Sequence, residues 1–233
     1  MAEGNDSSQD KSEEPTGRRI EKAREEGQVP RSKELNTTFI LMAGAAGLLI
    51  FGSQIGRVLT NVMTASFSFS REAALDTNQM SIYLSNAAIE VASIILPFLI
   101  VLFLAAIIGS VALGGMLFSA KSLVPKLSKM DPIKGIGRMF SLKSLVELLK
   151  AIAKVTVVMV FAVIIIRSQM PELLGLGLGH ESVIPAMAHA SQILGWSFFL
   201  LSCTMIVIAA VDVPFQIYDH LKNLKMTKQE VKD

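Results

Sequence analysis

Thirty consecutive residues without a charge, 91–120, constrain this chain more than any other feature of its sequence. As a helix such a run would extend roughly 45 Å, whereas the hydrocarbon core of a bilayer is about 30 Å thick. Other apolar runs occur elsewhere, 51% of the residues are hydrophobic, and the mean hydropathy is +0.50. The composition excludes a soluble domain and predicts a membrane protein that crosses the bilayer several times.

The apolar runs predict an all-α membrane protein with a transmembrane domain at 35–214. Its four predicted transmembrane helices lie at about 35–56, 87–118, 142–167 and 183–212. The second is so long that it must tilt, protrude or bend, and Pro97 is the expected bend site. Gly109, Gly114 and Gly115 near its far end are a second expected point of loosening.

The third predicted span has the opposite peculiarity. Only the twelve residues Val155–Ile166 are uncharged, because Lys154 and Arg167 bound them. Twelve residues are too few for an ordinary lipid-exposed crossing. We therefore expect the helix to start near Leu142, with its charged residues facing protein or water.

The Lys and Arg residues alternate between the two sides of the predicted membrane. The N-terminal segment has seven, the loop after the first span two, the connector and the start of the third helix eight, the next loop one and the tail four. Cytoplasmic segments carry the excess of Lys and Arg. Both termini and the connector are therefore predicted to be cytoplasmic, and the other two loops to lie outside.

The two ends of the chain are polar. In residues 1–34 a short charged helix is predicted at about Gly17–Glu26, ended by Gly27 and Pro30. Its interleaved acids and bases favour a solvated helix, and docking on a partner or on lipid head groups is the alternative. Residues 215–233 are predicted to form a polar-basic helix that leaves the membrane.

The connector at about 119–141 joins the second and third predicted spans. Its prolines and glycines exclude one long helix and favour short pieces that follow a curved surface. It lacks an aromatic platform, so its bases favour anionic lipid and acidic protein surfaces over nucleic acid. The candidate partner-binding residues are Lys121, Leu123, Pro125, Lys126, Leu127, Lys129, Pro132, Gly135, Ile136, Gly137, Arg138, Met139 and Phe140.

A charged stripe follows the connector. Its members Lys143, Glu147, Lys150 and Lys154 are spaced at i, i+4, i+7 and i+11, so they share one helix face. Pairing of Glu147 with its lysine neighbours would offset part of the cost of desolvation, and snorkelling of the lysines is the alternative. Lys154 has no acid within reach on its own helix, so any partner must come from elsewhere.

Asp212 is the remaining candidate site residue. It closes the fourth predicted span, where an ionisable group is expected to be functional, and a plain interfacial acid is the alternative. The sequence contains no phosphate-binding loop, dinucleotide fingerprint, zinc-protease motif or nucleophile with a plausible base. We therefore predict no catalytic, cofactor-binding or metal-binding residue and no enzymatic activity. The single cysteine, Cys203, excludes an intramolecular disulfide.

Three stretches together carry a family resemblance that covers essentially the whole chain. They are EEPTGRRIEKAREEGQVPRSKEL, FSAKSLVPKLSKMDPIKGIGRMFSLKSLVELLKAIAKV and DVPFQIYDHLKNLKMTKQEVKD, in this order. They resemble the membrane part of the export-switch family of type III secretion systems, and the flagellar branch in particular. The resemblance implies a structural and gating subunit of the flagellar protein-export apparatus, in the bacterial inner (cytoplasmic) membrane at the flagellar basal body.

The resemblance also implies partners. These are the other export-gate subunits FliP, FliQ and FliR, together with FlhA, membrane lipid and exported flagellar proteins in transit, with the connector wrapped around the cytoplasmic entrance of the gate. The family carries a cytoplasmic domain with a self-cleaving Asn-Pro-Thr-His sequence. That tetrapeptide does not occur in residues 1–233, so we expect residues 215–233 to begin a linker to an absent domain.

Other functions fit a four-span chain as well. A permease-like transporter would need paired ionisable groups near the middle of the bilayer and repeat symmetry between its halves. The middles of spans one, two and four contain no acid or base, which argues against it. A homologue from the injectisome branch is a further alternative, as is a receptor or lipid-anchored scaffold whose connector senses anionic lipid.

Overall fold

The computed structural model describes residues 13–68, 77–116, 142–176 and 183–227, together with Val231. The helices in these ranges are α1 (Gly17–Glu25), α2 (Lys33–Phe67), α3 (Thr77–Val111), α4 (Leu142–Gly175) and α5 (Val183–Asn223). The four long helices, α2 to α5, are long and apolar enough to cross a membrane. The predictions of an all-helical chain and of four potential membrane-spanning helices are therefore confirmed.

Each long helix differs in length from the apolar run that predicted it. Helix α2 extends to Phe67 although its uncharged run ends before Arg57, and α3 begins at Thr77, ahead of the predicted start at 87. Helices α4 and α5 begin at the predicted positions but continue to Gly175 and Asn223. Once a helix has started, each further residue adds a hydrogen bond at little cost, so polar residues prolong it.

Pro97 and the glycines near the end of α3 have different effects on the helix. The helix continues through Pro97 and ends at Val111, earlier than the predicted 118. A turn follows it, in which Gly115 adopts a φ of +73° and donates its N–H to the carbonyl of Val111 at 2.8 Å. Glycine reaches this left-handed conformation without the steric cost of a Cβ atom, so Gly115 closes the turn that ends the helix.

Helix α1 ends at the predicted glycine. Gly27 has a φ of +79°, and its N–H donates to the carbonyl of Arg24 at 3.0 Å. The N–H of Gln28 donates to the carbonyl of Ala23 at 2.8 Å. These two bonds form the Schellman motif, which satisfies carbonyls at the end of a helix.

The chain divides into two compact units. One, which we call the terminal unit, comprises 1–35, 110–154 and 208–233, and the other, the central unit, comprises 36–109 and 155–207. Within the central unit small residues allow close helix packing, as is usual in membranes. An added Cβ on Gly47 would lie 2.8 Å from the Phe98 ring, and one on Gly195 would lie 3.1 Å from Leu49.

Candidate functional site

An ion pair within the terminal unit joins α4 to the start of α2. The Nζ of Lys154 lies 2.7 Å from Oε1 of Glu34, and the two side chains are 37% and 24% exposed. Glu34 lies in the first turn of α2, where an acid is favoured by the partial positive charge of the helix N-terminus. The partner of Lys154 thus lies outside its own helix, as its position in the sequence indicated.

Lys150 joins the same part of α4 to α5. Its Nζ lies 3.1 Å from the centroid of the Phe215 ring and 3.4 Å from Oε1 of Glu147. A cation over an aromatic face is attracted by the negative charge of the ring face, most strongly where water is partly excluded. The ammonium group of Lys150 is therefore held between its own helix and α5.

Asp212 acts on the start of α2 through a serine. Its Oδ2 accepts the hydroxyl proton of Ser32 at 2.6 Å, and its Oδ1 accepts a hydrogen bond from Nε2 of Gln216 at 3.3 Å. The hydroxyl oxygen of Ser32 also accepts the N–H of Leu35 at 3.0 Å, so Ser32 is the N-cap of α2. The carboxylate polarises this hydroxyl and strengthens the cap.

These contacts form one cluster, which we call the charged junction: Ser32, Glu34, Lys150, Lys154, Asp212 and Phe215. It gathers the start of α2, the first half of α4 and the last third of α5, all in the terminal unit. Its two lysines and two acids each contact a specific group, so the junction holds helix ends in place. Within the described ranges, no group of three or more His, Cys, Asp or Glu residues is arranged to hold a metal ion.

The predicted site residues are only partly brought together. Glu147, Lys150, Lys154 and Asp212 meet in or beside the charged junction, whereas Lys143 lies in the first turn of α4 and its side chain is outside the described part of the structure. The connector with all its candidate residues, Lys121 to Phe140, lies outside the described residues. The binding role assigned to the connector therefore stays a prediction.

Three junction residues were missed by the sequence analysis. Ser32 stands directly before the helix that holds the first apolar run, which is a recognised N-cap signal, and Glu34 is an acid in the first turn. Both were therefore detectable. Phe215 is one aromatic residue among many apolar ones, and no sequence signal distinguishes it.

Comparison with known proteins places the chain in a family. Residues 9–233 match the model of the family described as "FlhB HrpN YscU SpaS Family". The flagellar biosynthetic protein FlhB of Escherichia coli (strain K12) is 39% identical over 98% of this chain and 59% of its own length. FlhB of Salmonella typhimurium is also 39% identical, over 100% of this chain and 60% of its own length.

A translocation protein of another kind of system is also similar. The Yop proteins translocation protein U of Yersinia pestis is 34% identical over 96% of this chain and 62% of its own length. The chain thus spans about 60% of the length of the curated relatives it matches. With a family model that matches nearly all of its residues and with four long apolar helices, the chain belongs to the FlhB HrpN YscU SpaS family of multi-pass membrane proteins.

Proposed function

We propose that this chain is the membrane part of a structural and gating subunit of the flagellar type III protein-export apparatus, and that export of flagellar proteins needs it. Family membership supports a place in a protein-export apparatus. The charged junction supports the structural role, because it ties the helix after the connector to other helices. The observation that carries the role is the Lys154–Glu34 ion pair. It attaches the first half of α4, the helix that directly follows the connector, to another helix of the same unit.

The charges of α4 explain why such an attachment is needed. Charged side chains in a membrane helix are costly unless they face protein or water. Lys150 and Lys154 both contact groups on other helices, Phe215 and Glu34. The C-terminal end of the connector is therefore joined to a helix that is held at its base, which suits a connector that must resist or transmit force.

We place the terminal unit and the connector on the cytoplasmic side, because Lys and Arg are concentrated in these segments. The connector then lies at the cytoplasmic entrance of the gate and wraps around it. The subunits that it contacts are FliP, FliQ and FliR, with FlhA as a further neighbour and exported proteins passing transiently. Its alternating apolar and basic residues suit a curved protein surface next to lipid head groups.

The exposed faces of the long helices support an embedded subunit. On α3 the large apolar side chains of Leu96, Phe103 and Ile108 are all more than half exposed. Such faces are covered by lipid or by other membrane helices, since apolar surface of this extent is not left in water. We propose that gate subunits cover part of them and that lipid covers the rest.

A substrate path within this chain is the less favoured function. A permease of this size would place interacting ionisable groups near the middle of its spans. The lysines of α4 are instead paired near its start, in the terminal unit. They therefore serve assembly better than transport.

Site-specific photo-crosslinking tests the proposal. Crosslinkers at Leu123, Leu127, Ile136 and Met139 should capture FliP, FliQ or FliR in cells that build flagella. A crosslinker at Leu84, exposed near the start of α3 and predicted to lie close to the outer surface, is the control, and the neighbours that it captures should differ from those captured at the connector positions. Lipid adducts alone, or no adducts, from the connector positions would contradict a connector that surrounds the entrance.

A role in an injectisome is the second candidate, favoured by the 34% identity to the Yop translocation protein. The identity to the two flagellar relatives is 39%, so the flagellar branch is better supported. An exchange experiment distinguishes the flagellar from the injectisome function. Joined to the remaining part of a flagellar relative or of an injectisome relative, residues 1–233 should support flagellar export and not secretion of Yop proteins.

A further inference from the structure

The N-terminal segment contacts the tail beyond α5 through the backbone. The N–H of Glu13 donates to the carbonyl of Met226, and the N–H of Met226 donates to the carbonyl of Glu13, both at 3.1 Å. Two residues that exchange both bonds form the hydrogen-bonded pair of an antiparallel bridge. The hydroxyl of Thr16 also donates to Sδ of Met226 at 3.7 Å. The tail is thus held by a segment from the opposite end of the chain.

The tail is packed at this point. Leu224, Met226 and Thr227 are 5%, 8% and 9% exposed, although they follow the last turn of α5 in a polar-basic sequence. A linker that merely leaves the membrane would expose such residues to water. Residues 224–227 are therefore part of the folded terminal unit, although the polar-basic sequence led us to expect a linker from residue 215.

The other end of the N-terminal segment packs on the turn that follows α3. A Cβ added to Gly114 would lie 2.8 Å from Cγ2 of Val29 and 3.0 Å from the carbonyl oxygen of Pro30. A Cβ added to Gly115 would lie 2.9 Å from Nη2 of Arg24. At Gly114 one of the close atoms belongs to the backbone of Pro30, so a side chain there would push the segment away from the turn.

A stiff element joins the two contacts. Helix α1 lies between Thr16 and Gly27, spans about 13 Å at 1.5 Å per residue, and is closed by the Schellman motif. A helix transmits a displacement along its length better than an extended chain does. The bridge at Met226 and the contact at Gly114 therefore lie beyond the two ends of one short helix.

We propose that residues 13–30 act as a clasp that ties the tail beyond α5 to the turn that follows α3. Movement of the tail then changes the position of this turn. The segment contacts the chain's own tail through Glu13 and Thr16, and the turn through Arg24, Val29 and Pro30. That the clasp regulates export rests on the proposed function, whereas the mechanical coupling does not depend on it.

Disulfide formation in native membranes tests whether residues 13 and 226 lie next to each other. With Cys203→Ser as background, the pair Glu13→Cys and Met226→Cys has a Cα–Cα distance of about 5.5 Å, within the range of about 4.4–6.8 Å that a disulfide needs. The control pair is Glu14→Cys and Met226→Cys, because neighbouring side chains of an extended segment point to opposite sides. We expect a yield at least ~5-fold higher for the first pair; equal yields would overturn the bridge.

Coupling is measured by a second substitution in the Glu13→Cys and Met226→Cys protein. Gly114→Val forces Val29 and Pro30 away and should lower the disulfide yield by at least ~2-fold. Val29→Ala loosens the same contact without a clash and should lower the yield in the same direction, so the result does not depend on one disruptive variant. Gly56→Val is the control, since no described atom lies within 4 Å of its added Cβ.

Each outcome decides the proposal. A lower yield with both Gly114→Val and Val29→Ala, at unchanged yield with Gly56→Val, supports the clasp. An unchanged yield with Val29→Ala and with Gly114→Val would leave a bridge that is not coupled to the turn, and would overturn the clasp. Neither readout involves export, so a failure of the proposed function would leave both results unchanged.

Discussion

Lys154 of α4 and Glu34 of α2 form a 2.7 Å ion pair across 120 positions of sequence. The pair explains how a helix with a charged first half can belong to a membrane domain. The lysine has a partner of opposite charge, and the acid also stabilises the first turn of α2. The pair thus fixes the base of α4 in the unit that also holds both chain termini.

A double-mutant cycle should detect this pair. Lys154→Met and Glu34→Gln each remove one side of this contact, so their effects should not add. We expect a coupling of about 1 kcal/mol, because both side chains are partly exposed and water screens the attraction. The measurement is the unfolding of the purified protein in mild detergent.

The control for that cycle combines Lys154→Met with Glu147→Gln. Glu147 lies seven positions away on the same helix and pairs with Lys150. Its coupling to Lys154 should be close to zero. An equally small coupling between Lys154 and Glu34 would show that the ion pair contributes nothing to the fold.

Replacement of the α2 cap should destabilise the terminal unit. Ser32→Ala removes the oxygen that accepts the Leu35 N–H and the hydroxyl that Asp212 accepts, at a cost of about 1 kcal/mol. Asp212→Asn keeps an acceptor and should cost less. In the Ser32→Ala background, Asp212→Asn should have almost no further effect, because its link to the helix is already lost.

Ser66→Ala is the comparison for the cap. The Ser66 hydroxyl is exposed and donates to the carbonyl of Val62 in its own helix, so its loss should change stability by less than about 0.5 kcal/mol. Hydrogen exchange at the first turn of α2 would locate the effect. Equal protection of that turn in Ser32→Ala and Ser66→Ala proteins would argue against the cap.

A glycine in the central unit marks close packing of α2 on α3. A Cβ on Gly109 would lie 2.6 Å from Oδ1 of Asn36 and 3.0 Å from its Cα. Gly109→Ala should therefore destabilise the protein by about 1–3 kcal/mol, the range for overpacked interiors. Gly56→Ala, with open space around it, should be neutral or slightly stabilising, because alanine favours helix.

Asn36 offers a second substitution at the same contact. Its Oδ1 is buried, and in the described part of the chain it has no hydrogen-bond partner. Asn36→Ala should relieve the shorter of the two clashes and partly restore the stability of Gly109→Ala. If the Gly109→Ala protein unfolds at the same temperature as the parent protein, α2 and α3 do not approach each other as closely as the structure shows.

The sequence was most informative for the membrane-spanning segments, because a bilayer restricts the backbone conformations that can cross it. Uncharged runs long enough to span the hydrocarbon core predicted α2, α3 and α5, since backbone groups in lipid must be satisfied within a helix. The run in α4 is only twelve residues long, so its prediction needed the assumption that the charged residues before it face protein or water. The same runs could not show that α2 continues to Phe67, because the Ser, Thr and Asn residues beyond Arg57 are as common in loops as in helices. Where a helix ends depends on local conformation, as Gly115 shows.

Pairing between helices could be predicted only in part. The spacing along α4 showed that Lys154 lacks an acid on its own helix, but the choice of Glu34 depends on how α2 packs in the terminal unit. Asp212 was singled out as an ionisable group at a span end, whereas its link to Ser32 needed three-dimensional information. The bridge between Glu13 and Met226 joins two polar segments in which no pattern indicates pairing.

Thiol labelling should establish the orientation. In a Cys203→Ser background, cysteines at Ser68 and Glu181 should react with a membrane-impermeant reagent from outside the cytoplasmic membrane, and cysteines at Ser12 and Ser128 should not. Thr227 is too buried to report on either side, so Val231, which is 44% exposed, is the better position in the tail. External labelling at Ser128 would overturn the four-span topology.

Co-purification tests the central claim most directly. Residues 1–233 carry every surface to which we assign gate contacts, so an affinity-tagged form should recover FliP, FliQ and FliR from cells that lack the full-length relative. The Lys154→Met and Glu34→Gln variants should recover less of all three at equal abundance in the membrane. Recovery of the tagged chain from the membrane without FliP, FliQ or FliR would contradict its assignment as an export-gate subunit.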